Sequence, residues 1–345
     1  MPLTRWLRRL ALAGVLLCLT VVVLGAYVRL TAAGLGCPDW PGCYGHLTPN
    51  GAAQDSAAAA AYAGTPLEPG RAWREMIHRY AVGALGVTIL LITALATGGR
   101  RRRAVSVPLA LTLLAIVVVQ AILGRLTVTW QLNPLIVTLH LLFGMTTLAL
   151  LWWLYLSLPR DSWGTAALLG PGHSISGGGA LAVASARRLT LIGLAVLALQ
   201  IAVGGWTSSN YAAIACPDLP TCQGAWWPPA DYRHAFAPWH GLNINYQGGV
   251  LAMSARIAIH LTHRLGALVT GVALTAAAVS VLRRRSLAGA RFRAGAVLGA
   301  LTLQLLIGVT MVLRAFPLWL ATAHTLGAAL LLLATLALLR SLSAR

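Results

Sequence analysis

Eight apolar runs of about 20 residues constrain this chain more than any other feature, because that is the length a helix needs to cross the hydrocarbon core of a bilayer. They lie near residues 10–29, 77–97, 105–124, 136–158, 189–208, 259–282, 295–313 and 318–339. Of the 345 residues 58% are hydrophobic and only 10% charged, more apolar surface than a water-soluble fold can hide. Inside lipid every backbone N–H and C=O must be bonded within the protein, which makes helices the structure these runs can take. The expected fold is all-α: a polytopic membrane protein of eight transmembrane helices.

A net charge of +19 invites a nucleic-acid reading, but the basic residues, all arginine, fall between the apolar runs instead of over one soluble surface. Arg5, Arg8 and Arg9 precede the first run, and Arg100, Arg101, Arg102 and Arg103 follow the second. Arg160, Arg187 and Arg188 lie between the fourth and fifth, Arg283, Arg284, Arg285, Arg291 and Arg293 between the sixth and seventh, and Arg340 and Arg345 end the chain. Eight crossings put all of these on one side, the cytoplasm by the positive-inside rule, together with both termini. Asp39, Asp55, Glu68, Glu75, Asp218 and Asp231 fall on the other side. The charge pattern thus reports topology in a bacterial-type inner membrane, with lipid as the partner and no nucleic acid. The first run resembles a cleaved leader, yet it continues into Tyr27, Val28 and Arg29, and its role is repeated by the fifth run, so it reads as a retained helix.

The chain repeats itself. Cys37-Pro38-Asp39-Trp40-Pro41-Gly42-Cys43 returns as Cys216-Pro217-Asp218-Leu219-Pro220-Thr221-Cys222, and His78-Arg79 returns as His263-Arg264. Gln120 with Gly124 returns as Gln304 with Gly308, and His140 as His324. The spacings between copies are 179 residues for the cysteines, 185 for the first histidines and 184 for the glutamines and second histidines. Each half reads as a helix, a long outer loop with a cysteine pair, a helix opening on His-Arg, a helix ending in Gln and Gly, and a helix with a His in its first turns. Four crossings per half make the repeats parallel, related by an axis along the membrane normal. The expected organisation is two similar four-helix bundles, residues 1–160 and 189–345, joined by a cytoplasmic Gly-rich linker over 161–188.

A lone intramembrane histidine usually bonds a neighbouring helix. Four at duplicated positions, 62 and 61 residues apart within the halves, point instead to His78 facing His140 and His263 facing His324 across a bundle interior, where an iron porphyrin with two axial imidazoles fits. Zinc is less suited, since neither half offers a clustered third or fourth ligand. Arg79 and Arg264, beside the first His of each pair, are expected as partners of haem propionates, which a guanidinium meets with two parallel N–H groups. Cys37 with Cys43 and Cys216 with Cys222, in outer loops, are expected as disulfides in an oxidising compartment. Cys18, inside the first run, reads as packing. Glu75 breaks the symmetry. It lies one turn before His78, whereas His260 stands before His263, so a carboxylate attends one pair and not the other, as a proton acceptor or a stabiliser of positive charge.

Taken together, these motifs resemble the haem A synthases of bacterial inner membranes and mitochondria over nearly the whole chain. The resemblance implies an oxidoreductase that converts the methyl group at ring position eight of haem O into the formyl group of haem A for terminal oxidases. It implies haem b as cofactor on His263 and His324, haem O as substrate on His78 and His140, Glu75 as the catalytic acid, and Cys37–Cys43 as the disulfide implicated in activity. Haem O synthase and oxidase assembly proteins are the partners it implies. The second half lacks a counterpart of Arg29. Two other readings use the same residues: a di-haem electron-transfer protein, in which both haems have equal status, and a haem carrier or oxidase assembly factor without catalysis, for which Glu75 is dispensable.

Overall fold

The computed structural model describes residues 2–62, 64–98, 107–158 and 177–343. Eight long helices follow in order: α1 (Pro2–Leu30), α2 (Pro69–Gly98), α3 (Val107–Thr129), α4 (Pro134–Ser157), α5 (Gly177–Ser209), α6 (Met253–Leu282), α7 (Arg291–Leu313) and α8 (Leu318–Ser343). Eight spans, the seventh including the 3-10 turn Arg285–Ala290, are long and apolar enough to cross a membrane. The described residues contain no strand, only the isolated bridges Cys43–His46 and Cys222–Ala225 in the two outer loops. The chain is an all-α, multi-pass membrane protein.

Helices outrun the apolar runs that announce them. α2 begins at Pro69 rather than near 77, because its first turns carry Arg71, Arg74 and Glu75, which hydropathy scores as loop but which are good helix formers. Proline at the first helical position suits that start, since its missing N–H is one the helix would leave unbonded. α5 begins at Gly177, so residues 177–188 of the expected linker are its first turns, in keeping with the alanine-rich stretch 180–186. The rest of that linker, with Arg100, Arg101, Arg102, Arg103, Arg160 and Arg345, lies outside the described residues.

Within residues 2–158, α1 packs on α2, α2 on α3, α3 on α4, and α4 back on α1; α5 to α8 close on themselves in the same order. The two sets meet where α1 and α4 pack on α8 and α4 packs on α5. Lipid is as apolar as leucine, so close packing holds such helices together rather than escape from water. Ala11, Ala110, Ala186, Ala278, Ala294 and Ala329, all fully buried in one continuous core, supply the small side chains that let backbones approach. Buried threonines cost nothing here, because Thr93, Thr190, Thr270 and Thr335 each return their hydroxyl to the carbonyl four residues back.

The duplication extends to the turns. α3 runs into α4 through Gln131 and Leu132 at φ 47° and 63°, and α7 into α8 through Ala315 and Phe316 at 55° and 60°. In both, the second residue's N–H bonds a carbonyl five residues back, Leu132 to Thr127 and Phe316 to Met311, each at 2.8 Å. α1 and α5 end alike, with Ala32 and Tyr211 left-handed at φ 52° and 54°, and Ala33 and Ala212 bonding Val28 and Thr207 at 2.9 Å. These are helix stops that return orphan carbonyls to N–H groups just past the end.

Candidate functional site: two histidine pairs under two disulfide loops

Each outer loop is wound around an aspartate. Asp39 accepts from the N–H groups of Tyr44 and Gly45 at 2.6 and 2.9 Å, and Asp218 from those of Gln223 and Gly224 at 2.6 and 3.0 Å. The chain turns there with Gly45 and Gly224 both at φ +77°, a conformation that glycine adopts without strain. Disulfides Cys37–Cys43 and Cys216–Cys222 close the loops, as expected from the sequence. Asp218 also accepts from the Thr221 hydroxyl, which with the N–H groups of Gly224 and Gln223 lowers its pKa to about 2. The repeated Cys-Pro-Asp therefore encodes a turn whose two ends and centre are all tied down.

Arginine ties each loop to its histidine helix. Arg79 donates to the carbonyls of Asp39, at 2.9 Å, and of Gly42. Arg264 donates to those of Asp218 and Thr221, both at 2.7 Å, and of Cys216 at 3.0 Å. Both residues expected beside propionates thus spend N–H groups on loop carbonyls, and Arg79 spends a further one on Glu75. Arg264 retains one, at Nε, that is buried without a partner.

Glu75 is 5% exposed and has two anchors: Arg79 donates to Oε1, and the N–H of Cys37 donates to Oε2 at 3.0 Å. It therefore joins the first disulfide to the helix of His78. The same register in the second half holds His260, also buried, its ring edge-on to Phe316 with centres 6.4 Å apart.

The four histidines sit inside their sets of helices, each against a glycine of a neighbouring helix. A Cβ added at Gly25 of α1 would lie 3.1 Å from Cε1 of His78, and one at Gly204 of α5 would lie 3.1 Å from Cε1 of His263. Gly124 of α3 and Gly308 of α7 stand in the same relation to His140 and His324, at 3.6 and 3.1 Å. The repeated glycines are the space in which the imidazoles lie. The ring centres of His263 and His324 are 6.4 Å apart, with planes at 74°. Two imidazoles on opposite sides of one metal, bonded at ~2 Å, place their ring centres about 6 Å apart. Buried Nδ1 atoms of His78, His140 and His324 have no hydrogen-bond partner. Among the described residues no group of three His, Cys, Asp or Glu side chains is placed to hold a metal ion. Paired imidazoles in apolar surroundings suit a metal that brings its own in-plane ligands, as an iron porphyrin does.

Residues 8–336 match the family model COX15-CtaA, described as cytochrome oxidase assembly protein. The chain belongs to that family. It is similar to the heme A synthase of Shewanella oneidensis, 40% identical over 334 residues, which cover 95% of this chain and 93% of that one. The heme A synthase of Methylobacterium nodulans is 29% identical over 346 residues, 92% of this chain and 86% of its own. That of Listeria welshimeri is 29% identical over 133 residues, 38% of each chain.

Two features of this COX15-CtaA protein escape a reading of the sequence. Gln120 and Gln304 stand out as repeated but without a role, and both reach the second histidine of their half: Gln120 donates to the His140 carbonyl at 3.1 Å, and Gln304 Nε2 lies 3.2 Å from His324 Nε2. Gln200, whose amide lies 3.0 Å from His263 Nδ1, has no repeat signal, since the matching position is Val21; its one trace is a polar residue inside an apolar run. The structure also shows a groove of about 450 Å³ between Trp40 of the first loop and α3, lined by Ala121, Ile122, Arg125 and Thr129.

Proposed function

We propose that this protein is a haem A synthase, an oxidoreductase that takes haem O as substrate and oxidises its methyl group at ring position eight to the formyl group of haem A. The observation that carries the reading is a duplicated pair of half-buried histidines of which one alone has a buried carboxylate in register, Glu75 one turn before His78, with His260 in that place before His263. The names of the relatives from Shewanella and Methylobacterium support it. On this reading His78 and His140 would hold haem O, and His263 and His324 would hold haem b. Haem b, when bound, supplies one-electron redox chemistry beside the substrate.

Glu75 acts in the N-terminal half. Its carboxylate is held from two sides, so it is oriented before substrate arrives, and there it accepts a proton from, or offsets positive charge at, the carbon being oxidised. Arg79 and Arg264 hold the disulfide loops over the histidines, and the remaining N–H of Arg264 is the one available to a propionate. The disulfides staple those loops. The arginine clusters place both termini in the cytoplasm and the loops outside. The two halves divide at the Gly-rich linker, and haem O synthase and oxidase assembly proteins are the partners on either side of the reaction.

The test is extraction of haems from protein co-produced with a haem O supply, resolved by chromatography and mass. Wild type is expected to yield haem A, while Glu75→Ala and Glu75→Gln yield only haem O beside haem b. Glu75→Gln matters because its oxygen can still accept from Cys37 and hold the loop. Unmodified haem from wild type as well would make the chain a di-haem electron carrier or a haem-binding assembly factor and overturn the assignment.

A further inference from the structure

The two histidine pairs are not held alike. Gln200 of α5 reaches α6 and sets its amide nitrogen 3.0 Å from His263 Nδ1 and 2.9 Å from the main-chain carbonyl of the same residue. The amide nitrogen can only donate, so here Nδ1 accepts and Nε2 carries the ring proton; when Nε2 ligates a metal the proton sits on Nδ1, and the same amide meets it by turning its oxygen to the ring. There is room for it only because residue 266, three beyond His263 on the same face, is glycine; a Cβ there would collide with Gln200 Oε1. In the first half the matching positions are Val21 and Ala81. Valine has no group to offer a ring nitrogen, and alanine has the Cβ that the amide could not pass. Each of these differences makes sense only with the other. Buried Nδ1 of His78 accordingly has no partner. The second histidines also differ, though at another atom: Gln304 lies on Nε2 of His324, whose Nδ1 has no partner, while Gln120 donates to the main-chain carbonyl of His140. Both rings of the C-terminal pair carry an amide; among the described residues no amide contacts either ring of the N-terminal pair.

We infer that Gln200, seated against Gly266, is a positioning residue that fixes the His263 ring and makes the C-terminal pair the one that retains its haem, whereas Val21 and Ala81 leave the N-terminal pair free to release one. The inference rests on the haem reading of the site. A ring held by an outer partner loses less freedom when it ligates, and removing such a partner weakens metal binding about tenfold or more. A half that turns over cannot hold its ligand so firmly, since the product has to leave.

The decisive variant transplants the first-half pair into the second, Gln200→Val with Gly266→Ala, a combination the same fold already packs once. The protein is purified whole from haem-replete cells, checked for helix content and elution, and assayed for haem b per polypeptide and for the low-spin ferric signal of its bis-histidine iron. The expected result is a roughly tenfold loss of retained haem b, with the residual low-spin signal shifted. Gly266→Ala alone is expected to lose as much as the double variant, because the methyl group evicts the amide. If the double variant does not fold, Gln200→Ala, which only removes atoms, is read in the same way. Wild-type haem content with an unchanged signal would overturn the inference and leave the haem reading standing. A wild-type protein that purifies without haem would overturn the haem reading and the inference with it.

Discussion

Gly204 and Gly308 leave the space in which His263 and His324 lie, and the contact a methyl group would make with each ring, 3.1 Å to Cε1, is tighter than packed carbons accept. Something must yield by a few tenths of an ångström, and the ring is the part that can turn. On the haem reading proposed above, Gly204→Ala and Gly308→Ala are therefore expected to cut retained haem b severalfold, in the sense of a disturbed ligand orientation, without altering helix content. Gly271, on the same helix as His263 but with open space around it, is the control: Gly271→Ala should keep its haem and gain up to ~1 kcal/mol from helix propensity. Haem content of the three variants, measured side by side, separates ring displacement from a general effect of alanine in a membrane helix. Equal haem content in all three would remove the steric role assigned to these glycines.

The loops are the elements in which sequence and chemistry meet most directly. Asp218 holds the second turn through Thr221, Gly224 and Gln223, and its pKa of about 2 lies below that of an ordinary aspartate. The sign follows from linkage: a group whose folded pKa is depressed contributes stability that is present above its unfolded value, near 4, and lost as the pH falls towards about 2. Reduction of Cys216–Cys222 by a phosphine is expected to be slow at neutral pH and to accelerate over that acidic window. Asp218→Asn, lacking the charge, should be reduced faster at neutral pH and show a flatter profile. Identical profiles for the two proteins would mean that the aspartate does not hold the loop. The aspartate's own side-chain hydrogen bonds are local, within six residues, which is why Cys-Pro-Asp could be read as a unit from the sequence.

At the scale of the whole molecule, Arg29 is a residue that crosses from one set of helices to the other, as Thr138 with Ser209 and Trp152 with the Leu333 carbonyl also do. From the last turn of α1 it donates to the carbonyls of Ser208 and Ser209 at the end of α5, at 2.6 and 3.3 Å, and its guanidinium lies 4.1 Å from the ring centre of Tyr211. A cation at a helix C-terminus completes carbonyls that have no partner inside the helix. This explains an arginine where the positive-inside rule does not place one, and why the second half has no counterpart: the contact is made once, between halves. Arg29→Ala is expected to destabilise the protein by about 1–3 kcal/mol, read as a lower thermal midpoint of the purified protein in detergent. Arg29→Lys should recover part of that loss, since an ammonium reaches a carbonyl but does not stack on tyrosine as a guanidinium does. An unchanged midpoint in Arg29→Ala would assign the joining of the halves to the packing of α1, α4, α5 and α8 and to the Thr138–Ser209 and Trp152–Leu333 hydrogen bonds.

The sequence by itself determined that the chain is helical, that it crosses the membrane eight times, and that it is duplicated, because hydrocarbon allows a long apolar run few other structures and because motifs recur at nearly constant spacing. It also marked, by their repeated positions, the four histidines proposed to pair and the cysteines that bond. The tertiary structure decided what these groups touch. Arg79 and Arg264 turn to loop carbonyls, Glu75 joins a disulfide to a histidine helix, and Gln200 reaches a histidine 63 residues away. A charge or an amide in a sequence announces only that it needs partners; which partners lie within 3 Å depends on how helices far apart in the chain pack, and no local pattern records that.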